Sequence, residues 1–332
     1  MFSGLRKSFL PMARRMNLRR MISLSGQTAA FPFYHGVADE ELSHIRHVYT
    51  QRNVSQFVRD LDQMLKHFDA VSLKEYLEDP DHSRQKNRMV LSFDDGLAEC
   101  HSVIAPVLQR KGVPAVFFLN NAFIGNQGLF YRYKVSLLID AVLYESRFME
   151  KAAGYLRINR DMVVKALLIM NCTQDHLLDD LAAEMGVDFN SYLNKHPVYM
   201  TESEVKDLVM KGFEIGGHSL YHADFALLDE KEVLNQVSLS IMDLQLRFGI
   251  DTRYFSFPFT TAGIPGKVIR KLLEEKKYQA LFGTAGLKKT EHPEFIQRIP
   301  LEINSLSAEE VLKTEYFYYL FKNMLGRNRY RY

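Results

Sequence analysis

The chain has 332 residues, of which 47% are hydrophobic and 25% charged, so it is long enough for one large domain or two ordinary ones. It contains no apolar run near the roughly 20 residues that a membrane-spanning helix needs. Its two cysteines provide neither a disulfide framework nor a metal-ligand spacing, so cysteine usage leaves the redox compartment open.

The charge is unevenly distributed, although the formal net charge is only +2. Ten basic residues and no acid lie in the first 20 and last 12 positions, and without them acidic residues outnumber basic ones by eight. Basic ends on an acidic body predict contact with an anionic membrane surface, at about 1 kcal/mol per basic residue. Solvated termini are the alternative. Nucleic-acid binding is disfavoured, because the basic charge in the body is not interleaved with aromatic residues.

Residues 1–29 mix apolar residues with arginines. A secretory signal needs an uninterrupted apolar core of about 7–15 residues, and arginines interrupt every candidate segment here. We therefore expect a basic leader over residues 1–29, either interfacial and amphipathic or loosely docked. With no clear signal peptide, we expect a cytoplasmic protein, peripheral at the inner face of the membrane through its basic ends.

The chain then alternates short apolar strands with helices. A first strand ends on His35, and an apolar strand over residues 89–93 leads into Asp94 and Asp95. Adjacent strand residues point to opposite faces, but Gly96 allows a sharp turn, so both carboxyl groups can still reach one site.

Residues 130–200 interrupt this alternation. They are rich in Leu, Ile, Ala and Met at helical spacing, which predicts a helical insertion rather than a separate enzyme domain. The alternation resumes with a strand that leads to His218 and His222, and a later strand ends at Pro258. A final helix and basic tail are expected over residues 307–332.

Six or seven strand–helix repeats predict parallel strands with helices outside, and hence an α/β barrel over residues 30–306. In such a barrel the functional site gathers at the C-terminal ends of the strands. The candidate residues all lie at strand ends: His35, Asp94, Asp95, His218, His222 and Pro258. The sequence therefore predicts one site at that end of the barrel.

His218 and His222 lie four residues apart, so both can face one point if a helical turn follows the strand. With a carboxylate they form a set that suits zinc or another divalent transition metal. We expect Asp95 to be the third ligand, which leaves Asp94 as a general base that takes a proton from water. The alternatives are a structural histidine pair and a helix N-cap carboxylate at Asp94.

The segments Ser92-Phe-Asp-Asp-Gly96 and His218-Ser-Leu-Tyr-His222 together resemble the first two motifs of the polysaccharide deacetylases, the NodB-homology family 4 carbohydrate esterases. The segment Met210-Lys-Gly-Phe-Glu-Ile-Gly-Gly217 resembles the family's lead-in to the second motif. The resemblance covers roughly residues 31–129 and 198–300. It implies a distorted (β/α)7 TIM-like barrel and hydrolysis of an N-acetyl, less often O-acetyl, group on a sugar polymer.

The resemblance also implies a divalent metal, most commonly Zn²⁺, and a carbohydrate substrate carrying an acetylated amino sugar. By the motif match, Asp94 would be the base, and the metal ligands would be Asp95, His218 and His222.

The third motif of the family usually contains an arginine before a proline and an aromatic residue. The matching segment here, Phe255-Ser-Phe-Pro-Phe259, has none. The resemblance implies that Pro258 and Phe259 shape the sugar groove and that the Phe259 N–H helps to hold the oxyanion. Arg298, at a later strand end, is our hypothesis for the substitute arginine.

The family's C-terminal Leu-x-His motif is also absent, because no histidine follows His292. Permuted members carry this histidine on the N-terminal strand in a Tyr-His pair, and Tyr34-His35 matches that arrangement. His35 is therefore expected to be the general acid that protonates the leaving amine. A buried histidine with a structural hydrogen bond is the alternative.

Three functions remain open at this point: a metal-dependent deacetylase of an amino sugar in a polysaccharide or envelope glycan, a non-catalytic glycan-binding barrel that contains a metal, and a metal-dependent hydrolase of a small amide. The acid, the base and the three ligands favour an enzyme, because binding alone needs no free carboxylate beside a metal. The insertion over residues 130–200 would restrict substrate length, which separates the polymer from the small amide.

Overall fold

The computed structural model describes residues 4–79, 87–303 and 306–331. These ranges contain the following strands: β1 (Ala29–Ala30), β2 (Pro32–Tyr34), β3 (Asp69–Ala70), β4 (Arg88–Met89), β5 (Leu91–Phe93), β6 (Ala115–Leu119), β7 (Glu214–Gly217), β8 (Tyr254–Ser256), β9 (Ala280–Gly283), β10 (Phe295–Gln297) and β11 (Ile299–Pro300). They also contain the following helices: α1 (Gly4–Arg15), α2 (Leu18–Ser25), α3 (Val54–Leu65), α4 (Leu73–Glu78), α5 (Ala105–Lys111), α6 (Tyr131–Tyr144), α7 (Ser146–Leu156), α8 (Arg160–Ile169), α9 (Asp175–Met185), α10 (Phe189–Lys195), α11 (Glu202–Met210), α12 (Glu230–Phe248), α13 (Gly266–Glu274) and α14 (Ala308–Met324).

Eight strands form one parallel sheet, in the order β10-β9-β8-β7-β6-β5-β2-β11. The two edge strands, β10 and β11, are consecutive in the chain and separated only by Arg298. The segment 295–300 therefore pairs with β9 on one side and with β2 on the other, and it closes the sheet into a barrel. Seven chain segments thus line the barrel, which confirms the predicted distorted (β/α)7 fold. Arg298, expected at a strand end, lies at the break between the two strands of this closing segment.

A small parallel sheet, β1-β4-β3, lies at the N-terminal end of the barrel strands β2 and β5. One residue separates β1 from β2, and one separates β4 from β5. Two chain segments therefore run from the small sheet directly into the barrel. The second of them, predicted as one strand over residues 89–93, delivers the Asp94-Asp95 pair.

The barrel strands are apolar because they are covered on both faces. All five residues of β6 are buried. Two glycines at the end of β7 allow close packing: a Cβ on Gly216 would lie 2.5 Å from the Phe118 ring, and one on Gly217 would lie 2.4 Å from the Ser240 hydroxyl. This packing fixes where the chain leaves the barrel towards His218.

Both ends of the chain pack together on the outside of the barrel. Helices α1 and α2 lie against α14. The Arg6–Glu315 and Arg14–Glu310 ion pairs, each at 2.7 Å, join α1 to α14. The predicted division into leader, barrel and C-terminal helix stays a prediction, and residues 1–3, 80–86, 304–305 and 332 within it lie outside the described residues. In the described ranges, no helix is both long enough and apolar enough to pass through a bilayer.

Helices α6–α10 form the segment predicted as a helical insertion between β6 and the resumed barrel pattern. Helix α6 contacts the loop that follows β2. The Ser136 hydroxyl donates to the Ser43 carbonyl at 2.6 Å, and the Arg46 guanidinium contacts Asp140 at 3.1 Å. The insertion therefore lies against the C-terminal end of the barrel, where the candidate residues gather.

Candidate active site

Asp94 and Asp95 follow β5 directly and are both buried. The Asp94 N–H continues the sheet by donating to the Tyr34 carbonyl at 2.9 Å. Asp95 then takes a left-handed conformation, φ +72°, and Gly96 takes another, φ +71°. The sequence attributed the turn to Gly96, but it begins one residue earlier. This early turn lets two adjacent acids enter one site from a strand whose side chains would otherwise alternate.

The Asp94 carboxylate lies against the Arg298 guanidinium inside the barrel. Both of its oxygens accept hydrogen bonds from Arg298, at 2.7 and 2.6 Å. Arg298 is 0% exposed, and it also donates to the hydroxyls of Ser92 and Ser256. Burial opposes ionisation of Asp94, but the charge and hydrogen bonds of Arg298, together with the nearby His218 and His35, outweigh it, so the pKa of Asp94 lies below its usual value. An ionised carboxylate is therefore held in fixed geometry.

Asp95, His218 and His222 form a buried cluster that can hold a metal ion. One ligand atom from each lies within 4.8 Å of the others. The Asp95 Oδ1 atom is 3.5 Å from His218 Nε2 and 3.1 Å from His222 Nε2. In the described part of the chain, Asp95 Oδ1 is buried without a hydrogen-bond partner. This carboxylate oxygen and the two Nε2 atoms near it form a donor set that a divalent cation satisfies, so these residues fit a metal.

The protonation state of His218 also suits a ligand. Burial lowers the pKa of His218 to about 4, so its ring is neutral at working pH. Its Nδ1 lies 2.8 Å from the Ser256 carbonyl oxygen. A neutral ring donates its proton there and leaves the Nε2 lone pair directed at the cluster, which is the usual arrangement of a metal-binding histidine.

The loop from His218 to His222 corrects one expectation. The convergence expected of these side chains depends on a helical turn after the strand, and residues 218–222 form no such turn. Ser219 and His222 are left-handed, with φ of +74° and +53°, and the His222 N–H donates to the Ser219 hydroxyl at 2.9 Å. A compact non-helical loop makes the histidines converge instead.

His35 is held by Glu302, which follows β11. Its Nδ1–H donates to one Glu302 oxygen at 2.5 Å, while the other oxygen accepts from the backbone N–H of His35 and of Gly36, at 3.0 and 3.3 Å. Burial lowers the pKa of His35, but the charge and hydrogen bond of Glu302, together with the charges of Asp95 and Asp94, outweigh it and raise that pKa to about 9. The His35 side chain is 23% exposed and stacks on Tyr49 at 4.4 Å. It is thus a protonated acid that solvent can reach.

Pro258 and Phe259 follow β8 beside the cluster. The Phe259 ring lies 4.7 Å from the His222 ring and 6.0 Å from the Phe130 ring of the insertion. Phe259 is left-handed, φ +55°, like Asp95, Ser219 and His222. Left-handed residues other than glycine are costly, and they concentrate where a site requires unusual geometry.

Sequence reasoning missed three residues that contact the candidate site. Glu302 and Ser256 lie at or just beyond strand ends, so the rule that selected His35 would have found them. Tyr133 has no such signal. It lies in the first turn of α6, and its hydroxyl donates to Asp95 Oδ2 at 2.7 Å.

Comparison with known proteins gives a consistent result. The family model for polysaccharide deacetylases matches residues 81–281. No curated protein matches the sequence.

Three solved structures illustrate the likeness in fold. The deacetylase PplD of Streptococcus pyogenes in complex with acetate has 13% identity and a TM-score of 0.57, covering 86% of this chain and 97% of that chain. IcaB from Ammonifex degensii has 14% identity and a TM-score of 0.55, and the match covers 87% of this chain and 97% of that chain. BC0361, a polysaccharide deacetylase from Bacillus cereus, has 13% identity and a TM-score of 0.53, covering 86% and 68%.

Proposed function

Because the chain belongs to the polysaccharide deacetylase family, a family of hydrolases that act on glycans, we propose that it removes N-acetyl groups from an amino sugar of a polysaccharide or envelope glycan. The observation that carries this proposal is the Asp94 carboxylate, held by Arg298 next to the Asp95, His218 and His222 cluster.

The proposed cofactor is a divalent metal, with Zn²⁺ as the first choice, held by Asp95, His218 and His222. When bound, such an ion polarises the acetyl carbonyl and lowers the pKa of water. This role is supported by the Asp95 Oδ1 atom, which lacks a hydrogen-bond partner in the described part of the chain and lies near Nε2 of both histidines.

Asp94 is the proposed general base. Its lowered pKa keeps it ionised at neutral pH, and the two hydrogen bonds from Arg298 fix the direction of its lone pairs. In the proposed reaction the carboxylate takes a proton from the attacking water, whose oxygen forms a bond to the acetyl carbon. Arg298 itself exchanges no proton, because a guanidinium stays charged at any working pH.

His35 is the proposed general acid. It gives a proton to the sugar nitrogen as the carbon–nitrogen bond breaks, so the products are acetate and a free amine. Glu302 keeps the imidazole charged and oriented through its Nδ1 atom, which leaves Nε2 as the donor. The permuted position of this histidine, on the first barrel strand, is part of the same proposal.

Phe259 is the proposed wall of the sugar groove. Its half-buried ring lies 4.7 Å from the His222 ring and is backed by the buried Phe130 ring, 6.0 Å away. Pro258 fixes the chain before Phe259, and the Phe259 N–H is the proposed donor to the oxyanion. Aromatic faces of this kind pack against the apolar face of a sugar ring.

We expect the protein to release acetate and primary amine in equimolar amounts from N-acetylated amino-sugar oligomers. The purified protein should lose this activity when a chelator strips its metal and regain it when one equivalent of Zn²⁺ is returned. The test measures acetate, amine and metal content over a panel that includes an O-acetylated sugar and a small N-acetyl amide.

An Asp94→Asn variant is the matched control, since the amide keeps the size of the side chain and cannot accept the proton. It should retain metal and release no acetate. Glycan binding without acetate release by the wild type would favour a binding module. Turnover of only the small amide would favour a metal-dependent hydrolase of a small amide. Release of acetate without amine would identify an esterase.

We also propose peripheral contact with an anionic membrane through the basic N-terminal helices, and a cytoplasmic location stays a prediction. Arg6 and Arg14 are engaged in ion pairs with α14, so they offer little to a membrane. Arg15 and Arg20 are exposed, as is Met12 in α1. These exposed residues form the proposed contact.

The full chain should bind vesicles that contain phosphatidylserine more tightly than neutral phosphatidylcholine vesicles, and more weakly at high salt. The double variant Arg15→Gln/Arg20→Gln should lose about 1 kcal/mol of binding per residue. A cosedimentation assay measures this effect, with Arg147→Gln/Arg160→Gln in the insertion as the control. Equal binding to both kinds of vesicle would remove the proposal.

A further inference from the structure

The insertion reaches into the metal-binding cluster through one side chain. Tyr133 is 0% exposed, and its hydroxyl donates to Asp95 Oδ2 at 2.7 Å. We propose that Tyr133 is a positioning residue for the Asp95 carboxylate, so that the insertion completes the metal site instead of only covering it. This inference rests on the proposed metal-dependent function and deepens it.

The two oxygens of Asp95 have separate environments. Oδ1 faces His218 and His222 and has no hydrogen-bond partner in the described chain, while Oδ2 accepts from Tyr133. A carboxylate without the second contact could turn about its Cβ–Cγ bond, so that neither oxygen keeps a fixed direction. Tyr133 therefore holds the carboxylate plane in the orientation in which one oxygen faces the histidines. Hydrogen bonds to the far side of a ligand commonly set metal affinity in this way.

The Tyr133 hydroxyl has a defined direction. It has one proton, which goes to Asp95, so it must act as the acceptor in its second contact, with the Tyr49 hydroxyl at 3.1 Å. The Tyr49 ring in turn stacks on His35 at 4.4 Å, with 19° between the planes. Two tyrosines, one from the insertion and one from the loop after β2, thus connect the proposed metal ligand with the proposed acid.

The Tyr133 ring is fixed by neighbours from three parts of the chain. Its centroid lies 5.0 Å from that of Phe130, 6.1 Å from that of Tyr199 and 5.2 Å from that of His44. These rings pack the two ends of the insertion and the loop after β2 around Tyr133. A phenylalanine in its place keeps these packing contacts and removes only the hydroxyl.

The Tyr133→Phe variant should bind Zn²⁺ about 10- to 100-fold more weakly than the wild type, the range found when such supporting contacts are removed. The dissociation constant is measured by competition with a chromophoric chelator, so it does not depend on turnover. At saturating Zn²⁺ the variant should recover most of its kcat with little change in KM. The melting temperature of the metal-free protein should fall by only a few degrees, because one hydrogen bond to a buried carboxylate is lost.

Tyr192→Phe is the matched control, because this insertion tyrosine contacts His44 rather than a ligand. Tyr49→Phe should weaken Zn²⁺ binding less than Tyr133→Phe, since its effect passes through Tyr133. Equal Zn²⁺ affinity of Tyr133→Phe and wild type would overturn the inference, as would an equal loss in Tyr192→Phe. A wild type that binds Zn²⁺ but releases no acetate would defeat the proposed function alone, because the affinities still decide the role of Tyr133.

Discussion

Replacing Arg298 with methionine should reduce acetate release at neutral pH by about 10²-fold or more, the scale on which a positioned acid or base contributes. Arg298 is the largest of the influences that oppose the effect of burial on the pKa of Asp94. Without it, burial is less opposed and the pKa of Asp94 should rise. The acid limb of the pH–rate profile should therefore move to higher pH, a change that a general loss of folded protein would not produce.

The same substitution should also destabilise the fold. It leaves a buried carboxylate without its counterion, which typically costs about 3–5 kcal/mol. Because the folded-state pKa of Asp94 is lowered, the ion pair contributes stability at neutral pH and loses it as the pH falls through that pKa. Urea unfolding at pH 7 and at acid pH measures both effects.

A double variant separates the two consequences of losing Arg298. Asp94→Asn/Arg298→Met removes both charges, so it should regain much of the stability lost in Arg298→Met while remaining inactive. Arg298→Lys keeps the charge but not the two parallel hydrogen bonds, so its activity should be intermediate. Unchanged turnover and an unchanged pH profile in Arg298→Met would refute the assigned role.

Replacing His35 with alanine should leave metal content unchanged and lower kcat by about 10²- to 10⁴-fold. The ring lies outside the Asp95, His218 and His222 cluster, so its loss removes a proton donor and no ligand. His47→Ala is the matched control, because His47 also contacts a carboxylate, Asp140, at 2.9 Å. Loss of metal from the His35 variant, or an unchanged kcat, would contradict the proposal.

The pH profile provides a second test of His35. The acid must be protonated to act, and the pKa of His35 is raised to about 9, so activity should decline only above about pH 9. Glu302→Gln removes the charge that raises this pKa, and burial then lowers it toward or below the ordinary value of 6.5. The alkaline limb should move to lower pH accordingly. An alkaline limb that stays in place in Glu302→Gln would exclude His35 as the titrating acid.

The positions of the site residues were predictable because parallel strands of a barrel all deliver their C-terminal ends to one face. That rule selected His35, Asp94, Asp95 and His218 from local pattern alone. It could not supply the backbone conformation between them. The left-handed residues that aim Asp95 and His222 depend on tertiary packing, and no local spacing encodes them.

Contacts between residues far apart in the sequence were predictable only where a motif or a strand end limited the number of candidate residues. Arg298 could be proposed because the arginine that is usual in the family's third motif is absent from this sequence, and Arg298 lies at a later strand end. Tyr133 lies 38 residues from Asp95, within a helix whose apolar spacing predicts only burial. Nothing in such a helix distinguishes a tyrosine that supports a ligand from one that fills the core.

The closing segment of the barrel has a consequence for protein synthesis. Arg298 stands between the two strands that seal the ring, and it lies 204 residues after Asp94 in the chain. At roughly 5–20 residues per second, the ribosome needs about 10–40 s to add that length. A nascent chain that ends between His222 and Arg298 therefore contains every proposed metal ligand but lacks the arginine that holds the proposed base. The ring of strands and the Arg298–Asp94 ion pair can form only after the ribosome has added residue 298.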